Sequence, residues 1–323
     1  MSYKTKLFNR KISMVGSIKK WIKSSPSLLR MYSKVEDIPY KMATMISPKL
    51  NTTLRFRQAN GFFPNYNSPQ TLTEKLVWLK LNMYMEDPLV IQCADKFRVR
   101  EYVKSKGCSD TLNDLIGVYD SADQIPWDSL PNKFVLKWNF GAGMNLICTD
   151  KTKLDIDGTI KKLNKWGKSK YWLNHSEMQY KYTPKKIICE KFLENKQDEV
   201  IPDYKVYCFH GEPLAIFVMH DRGKGVKSEF FDINWNLLQN TKKYQNPAEQ
   251  TPKPKCLDRM IEVSRLLTEP FPFVRCDFYV VNDILVFGEM TFTPAGGVLT
   301  SQTQIAGKEM GDYLHIEDLV NRK

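Results

Sequence analysis

The sequence predicts an α+β protein in which helices alternate with antiparallel hairpins. Two segments carry most of this prediction, because residues 134–148 and 273–291 each contain two apolar, strand-like runs joined by a turn. A third hairpin is predicted from Tyr204 to His220 around the turn His210-Gly211-Glu212. Another short strand is predicted at residues 187–190. No GxGxxG fingerprint is present, so the sequence does not support a dinucleotide-binding fold.

The helices are predicted from apolar spacing and from their end signals. A helix opens at Thr73-Glu74 with the stripe Leu72, Leu76, Leu79 and Met83. A second is expected from about Ala94 to Lys106, ending at Gly107. Further helices are expected near residues 155–168 and 256–268. Residues 48–70, rich in Asn, Pro and aromatic side chains, are expected to form a connecting loop.

The N-terminal arm is strongly basic. The 323-residue chain has a net charge of +12, and residues 1–34 contain nine Lys or Arg and no acidic residue. Apolar residues at helical spacing predict a short basic amphipathic helix, which could instead pack on the body with its lysines in water; they are Met14, Val15, Ile18, Trp21 and Ile22. Such an arm suits an anionic membrane surface or an acidic glycan. Nucleic acid is not an expected partner, since no recognition motif for it occurs elsewhere.

Composition and cysteine usage indicate a globular cytoplasmic protein. Hydrophobic residues make up 42% of the chain and charged residues 26%, and no apolar run is long enough for a transmembrane helix. The seven cysteines include no CxxC pair, and several lie in apolar strand-like runs. They are therefore expected to be buried, reduced thiols and not a zinc site or a disulfide framework.

Phosphate binding is suggested by a glycine-bearing tip with nearby lysines. Gly141 and Gly143 lie in the turn between the strands of the first hairpin, where backbone N–H groups can approach phosphate oxygens. Taken alone, this tip is better explained as an ordinary hairpin turn. Lys137 interrupts the apolar strand just before it, and could otherwise lie on the solvent face of an edge strand. Lys96 follows Asp95 at the opening of a predicted helix, where a solvated helix end is the alternative.

Two carboxylates in apolar strands are the candidate metal ligands. Asp277 and Glu289 lie in the last hairpin, and buried carboxylates are costly unless they are paired or bound to metal. A strict two-residue turn at Asn282-Asp283 would place Asp277 opposite Gly288, whereas a three-residue or bulged connection can place it opposite Glu289. Metal binding requires the second register. The alternative is a pair of salt-bridged edge carboxylates, with Arg275 as a partner.

Taken in order, these segments resemble the TupA-like ATP-grasp family, named for teichuronopeptide synthesis. The resemblance covers roughly residues 60–315 and is carried by the segments 72–79, 94–100, Lys137 with its glycine tip, 203–205, 271–279 and 287–291. It implies an ATP-grasp fold, with two α+β lobes that grip ATP and an N-terminal helical, pre-grasp region. The implied division is an arm over 1–34, a pre-grasp region over 35–125, a small lobe over 126–195 and a C-terminal lobe over 196–323.

The family also implies roles for residues that contact ATP. Lys96 and Lys137 would contact the phosphates, with Gly141 and Gly143 closing over them. Glu190 would meet the adenine amino group. The remaining implied nucleotide contacts are the backbone of Lys191 and Leu193 at the ring, and Glu194 or Asp198 at the ribose.

The reacting end of the site follows from the same resemblance. Lys205 and Arg222 would lie near the phosphates or the acceptor, and Arg275 would stabilise negative charge at the reacting carboxyl group. Asp277 and Glu289 would bind Mg²⁺. Many superfamily members have Glu-x-Asn at the second metal position, but this chain has Glu289-Met290-Thr291. A Thr hydroxyl can still coordinate, although less strongly than an amide carbonyl.

The implied activity is an ATP- and Mg²⁺-dependent carboxylate–amine ligase that forms an acyl phosphate. By family association, the substrates would be a carboxylate-bearing glycan of surface polysaccharide biosynthesis and an amine donor such as an amino acid or peptide. A glycosyltransferase of polysaccharide assembly and a non-catalytic nucleotide-binding protein are the alternatives. A cytoplasmic location is expected, and the basic arm leaves open peripheral contact with the inner face of the membrane.

Overall fold

A computed structural model describes residues 37–195, 201–220, 227–238, 251–299, 304–305 and 308–321. The predicted basic arm, Asp198 and Arg222 lie outside the described residues. Within them, the first part of the chain is helical. Its helices are α1 (37–46), α2 (Pro48–Asn60), α3 (Leu72–Asn82), α4 (Pro88–Ala94) and α5 (Val99–Ser105).

The prediction of a connecting loop over residues 48–70 is wrong for most of that range, because residues 48–60 form the helix α2. Pro48 begins the helix, where its missing N–H costs nothing, and Gly61 ends it in the left-handed conformation with φ of 84°. The buried positions include Asn51 and Thr52 as well as Phe56. No apolar stripe at helical spacing marks the buried face, so the pattern that reveals other helices is missing.

Helix α3 confirms the prediction of a helix opening at Thr73-Glu74. Thr71 is its N-cap and forms a reciprocal capping box with Glu74, which satisfies two backbone N–H groups. Leu72, Leu76 and Leu79 of the predicted stripe are fully buried. The helix therefore packs through the face that the spacing indicated.

The helix predicted from Ala94 to Lys106 begins only at Val99, because a separate helix ends at Ala94 and a turn follows it. Helix α4 ends at Ala94, and Asp95 has extended backbone with ψ of 114°. The Asp95 carboxylate accepts hydrogen bonds from the backbone N–H groups of Phe97 and Arg98, which stabilises a turn at this point. Lys96 therefore lies in the turn between two helices and not in a helix.

A four-stranded antiparallel sheet forms the smaller layer. Its strands are β1 (Leu115–Tyr119), β2 (Phe134–Trp138), β3 (Asn145–Cys148) and β4 (Ile187–Lys191), in the spatial order β1-β4-β2-β3. The predicted hairpin and the predicted strand near residue 187 are confirmed as β2, β3 and β4. Strand β1 precedes residue 126, so this sheet takes a strand from the region expected to be pre-grasp. Helix α6 (Ile156–Gly167) covers its core, where Trp138 donates a hydrogen bond to the Leu163 carbonyl at 2.9 Å.

A five-stranded antiparallel sheet forms the larger layer. Its strands are β5 (Asp203–Phe209), β6 (Glu212–His220), β7 (Lys227–Asp232), β8 (Phe273–Val281) and β9 (Ile284–Thr291), in the order β7-β6-β5-β8-β9. Two predicted hairpins are confirmed here, while β7 was not predicted. Helix α7 (Leu257–Thr268) packs on β5, β6 and β8 through Leu257, Met260, Val263 and Leu267. The strands β10 (Gln304–Ile305) and β11 (Lys308–Glu309) and the helix α8 (Glu317–Asn321) follow.

The cysteines lie within these cores. All seven are free thiols, and six are buried, with Cys256 partly exposed. This confirms the prediction of buried, unpaired cysteines. None of the helices in the described residues combines the length and the apolar run that a bilayer crossing requires.

Candidate active site

A polar cleft lies between the two sheets. It encloses about 660 Å³ including its open mouth. Three lysines and four carboxylates line it, from both sheets and from the turn after α4: Lys96, Lys137, Lys205, Glu190, Asp203, Asp277 and Glu289. A larger cavity of about 1060 Å³ lies between α2, α3 and α8, but no carboxylate lines it. Of these two cavities, the smaller one between the sheets is therefore the one in which lysines and carboxylates converge.

A row of charged residues crosses three strands of the large sheet. Asp277 on β8 pairs with Lys205 on β5 and with Glu289 on β9. The turn is the strict two-residue turn, since Val281 pairs with Ile284, yet Phe278 pairs with Phe287 and Asp277 with Glu289. A bulge at Gly288 takes up the extra residue. The register that metal binding required is thus confirmed, and its cause is a bulge inside β9.

Asp277 is held between two cations. Arg275 donates from Nε to Asp277 Oδ1 at 2.6 Å and from its terminal nitrogen to Oδ2 at 2.7 Å. Lys205 Nζ donates to the same Oδ2 at 2.7 Å and lies 3.5 Å from Asp203 Oδ2. All four side chains are at least 87% buried, because their relative exposures are 13%, 9%, 7% and 5%. Burial lowers the pKa of Arg275, but the Asp277 carboxylate raises it well above the usual range, so the guanidinium stays charged.

Glu289 projects into the cleft beside this group. Its Oε2 lies 3.4 Å from Lys96 Nζ, and its Oε1 lies 3.4 Å from the Thr291 hydroxyl. Thr291 also accepts a hydrogen bond from Arg275 at 3.2 Å. Enclosure in the protein raises the pKa of Glu289. The three nearby cations Lys96, Arg275 and Lys205 lower it by more, so that the pKa is about 2. The side chain is therefore a carboxylate across the physiological pH range.

On the opposite wall of the cleft, two neighbouring strands of the small sheet contribute a second ion pair. Lys137 on β2 donates to Glu190 Oε2 on β4 at 2.6 Å, and Arg100 lies 3.7 Å from Glu190 Oε1. Glu190 is 8% exposed. The Glu190 carboxylate thus holds one lysine and one arginine at the cleft wall, which places Lys137 facing the row on the large sheet.

The glycine tip is fastened to the turn that carries Lys96. Lys96 donates from its backbone N–H to Asn139 O at 2.9 Å and from Nζ to Gly141 O at 2.6 Å. Asn139 is fully buried and binds the segment at 184–186 through both ends of its amide. Gly141 has φ of 65°, and a Cβ there would lie 2.5 Å from the Tyr171 ring. A glycine is therefore favoured at position 141 by conformation and by space.

A buried polar group supports the loop that follows β9. Lys80 donates to the carbonyls of His175 and Gly296 at 2.9 and 2.8 Å, and Thr293 donates to Glu177 Oε1 at 2.8 Å. Burial lowers the pKa of Lys80 to about 8 and raises the pKa of Glu177. These contacts fix the chain just beyond Thr291 against the segment around residue 176.

Of the residues predicted to contact the adenine ring or the ribose, Glu190 lines the cleft, whereas Lys191, Leu193 and Glu194 do not. The Lys191 N–H donates to Asp114 O at 3.0 Å and its carbonyl accepts from Asn113 at 2.9 Å, so its backbone is engaged within the protein. Glu194 pairs with Lys133 on an exposed surface. Leu193 is half-buried just after β4. The cleft therefore contains the phosphate and metal candidates, while this segment lies at its edge.

Several cleft residues were not identified from the sequence. Arg100, Asp203 and Tyr279 occur in the recognised segments but had no assigned role, and Asn145 was only the end of the glycine tip. The signal for Asp203 was present, because it lies two residues before Lys205 and so shares its face of β5. The role of Arg100 could not be predicted from strand alternation, since its contact with Glu190 joins a helix to a strand.

Two sheets that face each other across lysines, carboxylates and a glycine tip define an α+β protein with a charged cleft between its two sheets. The family model for TupA-like ATP-grasp proteins matches residues 74–315. The chain belongs to this family, and its fold is the ATP-grasp fold of two α+β lobes. No curated protein matches the sequence.

Solved ATP-grasp ligases are similar to the chain at low identity. D-alanine–D-alanine ligase from Bacillus anthracis has a TM-score of 0.44 and 15% identity, over 72% of this chain and 67% of that one. N5-carboxyaminoimidazole synthase from Aspergillus clavatus has a TM-score of 0.40 and 12% identity, over 63% and 45%. The ATP-grasp ligase PsnB, solved with a minimal precursor, has a TM-score of 0.39 and 9% identity, over 73% and 63%. The chain spans less than two thirds of the last two proteins.

Proposed function

We propose that the protein is an ATP-dependent carboxylate–amine ligase that works through an acyl phosphate. The observation that carries this proposal is the facing arrangement of Lys137 on the small sheet and the row Lys205, Asp277 and Glu289 on the large sheet. Membership of the ATP-grasp family supports the nucleotide part of the proposal. The lysines and carboxylates of the cleft support the proposed binding of a triphosphate and of Mg²⁺.

The lysines are suited to a triphosphate. Lys96 and Lys137 would contact phosphate oxygens, with the backbone of Gly141 and Gly143 above them. Both lysines now rest against carboxylates, at 3.4 and 2.6 Å from Glu289 and Glu190. A bound triphosphate would offer them a stronger anion. Glu190 would then be released to meet the adenine amino group, and Glu194 would be the ribose contact.

The carboxylates fit Mg²⁺, although they form only a partial ligand set. Among the described residues, no group of three or more His, Cys, Asp or Glu side chains converges to hold a metal. Two carboxylates are nevertheless the usual protein contribution when phosphates supply the remaining ligands. Asp277 and Glu289 would hold the ion, and the Thr291 hydroxyl lies on the same face. Bound there, Mg²⁺ would neutralise phosphate charge and orient the triphosphate.

The reaction would join two anions before an amine reacts. A carboxylate oxygen of the acceptor attacks the γ-phosphorus, the bond to the β-phosphate oxygen breaks, and ADP leaves. The amine then attacks the acyl carbon, phosphate leaves, and the amine loses a proton. Arg275 and Lys205 would stabilise the negative charge at the reacting carboxyl group, since the Arg275 guanidinium remains charged and Lys205 lies beside it at 2.7 Å from Asp277. Arg222 is proposed for the same end of the site.

The acceptor is proposed to be a uronic-acid-containing glycan of surface polysaccharide biosynthesis. The support is the association of the family with teichuronopeptide synthesis, together with the cationic groups that a carboxylate substrate needs. The amine donor would be an amino acid or a peptide. This assignment places the reaction in the cytoplasm, where ATP and glycan precursors are available.

ADP release tests the proposal directly. The full chain is incubated with Mg-ATP, glucuronic or galacturonic acid and a panel of amino acids, and ADP and the new amide are measured. We expect ADP to appear only when acid and amine are both present, and hydroxylamine to trap the acyl phosphate as a hydroxamate. Thermal shift by UDP-sugars in place of ATP, without ADP release from any pair, would instead identify a glycosyltransferase.

A further inference from the structure

Exposed apolar side chains are concentrated at one place on the protein. Thirteen large hydrophobic residues are exposed in the described part of the chain, and eight of them lie between residues 38 and 63. They are Ile38, Met42, Met45, Ile46, Leu50, Leu54, Phe62 and Phe63, with relative exposures of 39% to 77%. Single exposed hydrophobic residues need no explanation, but a cluster of this kind marks a contact surface.

Six of these residues lie on two helices that fold back on each other, and Phe62 and Phe63 follow just after α2. Arg55 on α2 pairs with Asp37 at 2.5 Å and stacks on the Tyr40 ring at 3.9 Å. In α1, Ile38, Met42 and Met45 follow a spacing of four and three residues and so share one face. We call residues 37–63 the helical hairpin.

The helical hairpin has an inverted polarity. Its buried side chains include Thr44, Asn51 and Thr52, at 3%, 0% and 0% exposure. Thr44 donates to Leu173 O at 2.9 Å, and Asn51 donates to Tyr40 O at 2.8 Å. A surface helix normally buries its apolar face and exposes its polar one. The helices therefore bury polar side chains beside Phe56 and expose several apolar ones, and these exposed side chains are suited to an apolar environment outside the protein.

Charge identifies the chemistry of the partner. Residues 1–63 contain thirteen Lys and Arg and two acidic residues, a net charge of +11 in a chain whose net charge is +12. In the helical hairpin itself, Lys49 and Arg57 are exposed beside Leu50 and Leu54. An apolar face bordered by cations is typical of a helix that lies in the interface of an anionic bilayer.

We propose that the helical hairpin docks the protein on an anionic membrane surface. The apolar side chains of α1 and α2 enter the boundary between headgroups and acyl chains. Lys41, Lys49 and Arg57 contact lipid phosphates. The cleft lies on other elements, so this docking does not depend on the reaction proposed above.

Vesicle co-sedimentation of the full chain tests the docking. The vesicles are phosphatidylcholine alone, or equal parts of phosphatidylcholine and phosphatidylglycerol. The test variant carries Met42→Gln, Met45→Gln and Ile46→Gln, which retain helix propensity at exposed sites. The matched control carries Ile147→Thr and Ile284→Thr, since these residues are equally exposed, at 64% and 63%, but lie on the two sheets.

We expect the native chain and the control to bind the anionic vesicles and to be released by salt. The test variant should bind at least tenfold more weakly, with unchanged ATP-induced thermal shift and melting temperature. If the triple change unfolds the protein, Met45→Gln alone replaces it. Failure of the native chain to sediment, or equal binding by the test variant, would overturn the proposal. A change of oligomeric state in the test variant without a change in vesicle binding would identify a second copy as the partner instead.

Discussion

Asp277 lies directly opposite Glu289 across the β8–β9 hairpin, because Gly288 is bulged out of the ladder. Asn282 and Asp283 form a turn in which both residues have positive φ, 51° and 65°. That turn alone would pair Asp277 with Gly288 and send the Glu289 side chain to the opposite face. The bulge is therefore the feature that brings the two candidate metal ligands together.

A side chain at position 288 should disturb this register. A Cβ on Gly288 would lie 2.9 Å from the backbone carbonyl of Asp277. We expect Gly288→Ala to weaken binding of Mg-ATP at least tenfold and to lower stability by about 1 to 3 kcal/mol. Calorimetric titration and urea unfolding measure the two effects.

Gly61→Ala is the matched control for the loss of stability. Gly61 has φ of 84°, and no atom lies within 4 Å of an added Cβ. The change should cost about 1 kcal/mol through backbone strain and leave nucleotide binding unchanged. Equal loss of binding in both variants would mean that stability, and not register, limits binding.

The same hairpin shows how far the sequence could predict the site. Alternating apolar residues and a two-residue turn are local signals, so both strands and their junction were predicted. The bulge was only one of two alternatives, because it depends on packing of Gly288 against Asp277. Helix α2 was missed for a related reason, since it buries Asn51 and Thr52 through tertiary hydrogen bonds that no local pattern records.

The two carboxylates should differ in their effect on stability. Asp277 is 7% exposed and is the partner of both Arg275 and Lys205, whereas the Glu289 side chain is 37% exposed. Asp277→Ala removes the carboxylate that two buried cations share, leaving Lys205 with Asp203 at 3.5 Å and Arg275 with the Thr291 hydroxyl, and should cost about 3 kcal/mol. Glu289→Ala should cost much less, while both variants lose Mg²⁺-dependent nucleotide binding. Urea unfolding without nucleotide compares the stability of the two variants. Equal destabilisation would contradict the difference in burial between the Asp277 and Glu289 side chains.

Lys137 should be the lysine of β2 that matters for ATP. It lines the cleft and pairs with Glu190 at 2.6 Å. Lys137→Ala should weaken ATP binding at least tenfold, about 1.4 kcal/mol, because a cation facing the phosphates is lost. Lys153→Ala is the control, since Lys153 pairs with Asp150, is 83% exposed and does not line the cleft. An equal or stronger effect from Lys153→Ala would mean that overall charge, and not Lys137 itself, governs ATP binding.

Thr291 should limit affinity for the metal. Its hydroxyl lies 3.4 Å from Glu289 and accepts a hydrogen bond from Arg275. Thr291→Asn offers an amide carbonyl, a better oxygen ligand, and should lower the Mg²⁺ concentration at half-maximal ATP binding several-fold. Thr291→Val keeps the shape, removes the oxygen, and should raise that concentration. Titration of Mg²⁺ at fixed ATP measures both, and identical curves for the two variants would exclude Thr291 from the metal site.

Stability should rise with pH between about 4 and 6.5 through His175. Burial, together with Arg55 and Lys80, lowers the pKa of His175 from 6.5 to about 4. In this range the unfolded chain binds a proton that the folded chain does not, so the stabilisation is complete above pH 6.5 and is lost as the pH falls toward 4. Its size is on the order of 3 kcal/mol. His175→Gln keeps the backbone carbonyl that accepts from Lys80 and removes the titrating ring. Urea unfolding of both proteins from pH 4.5 to 7.5 should show a smaller pH dependence in the variant, and parallel profiles would mean that other groups cause the change.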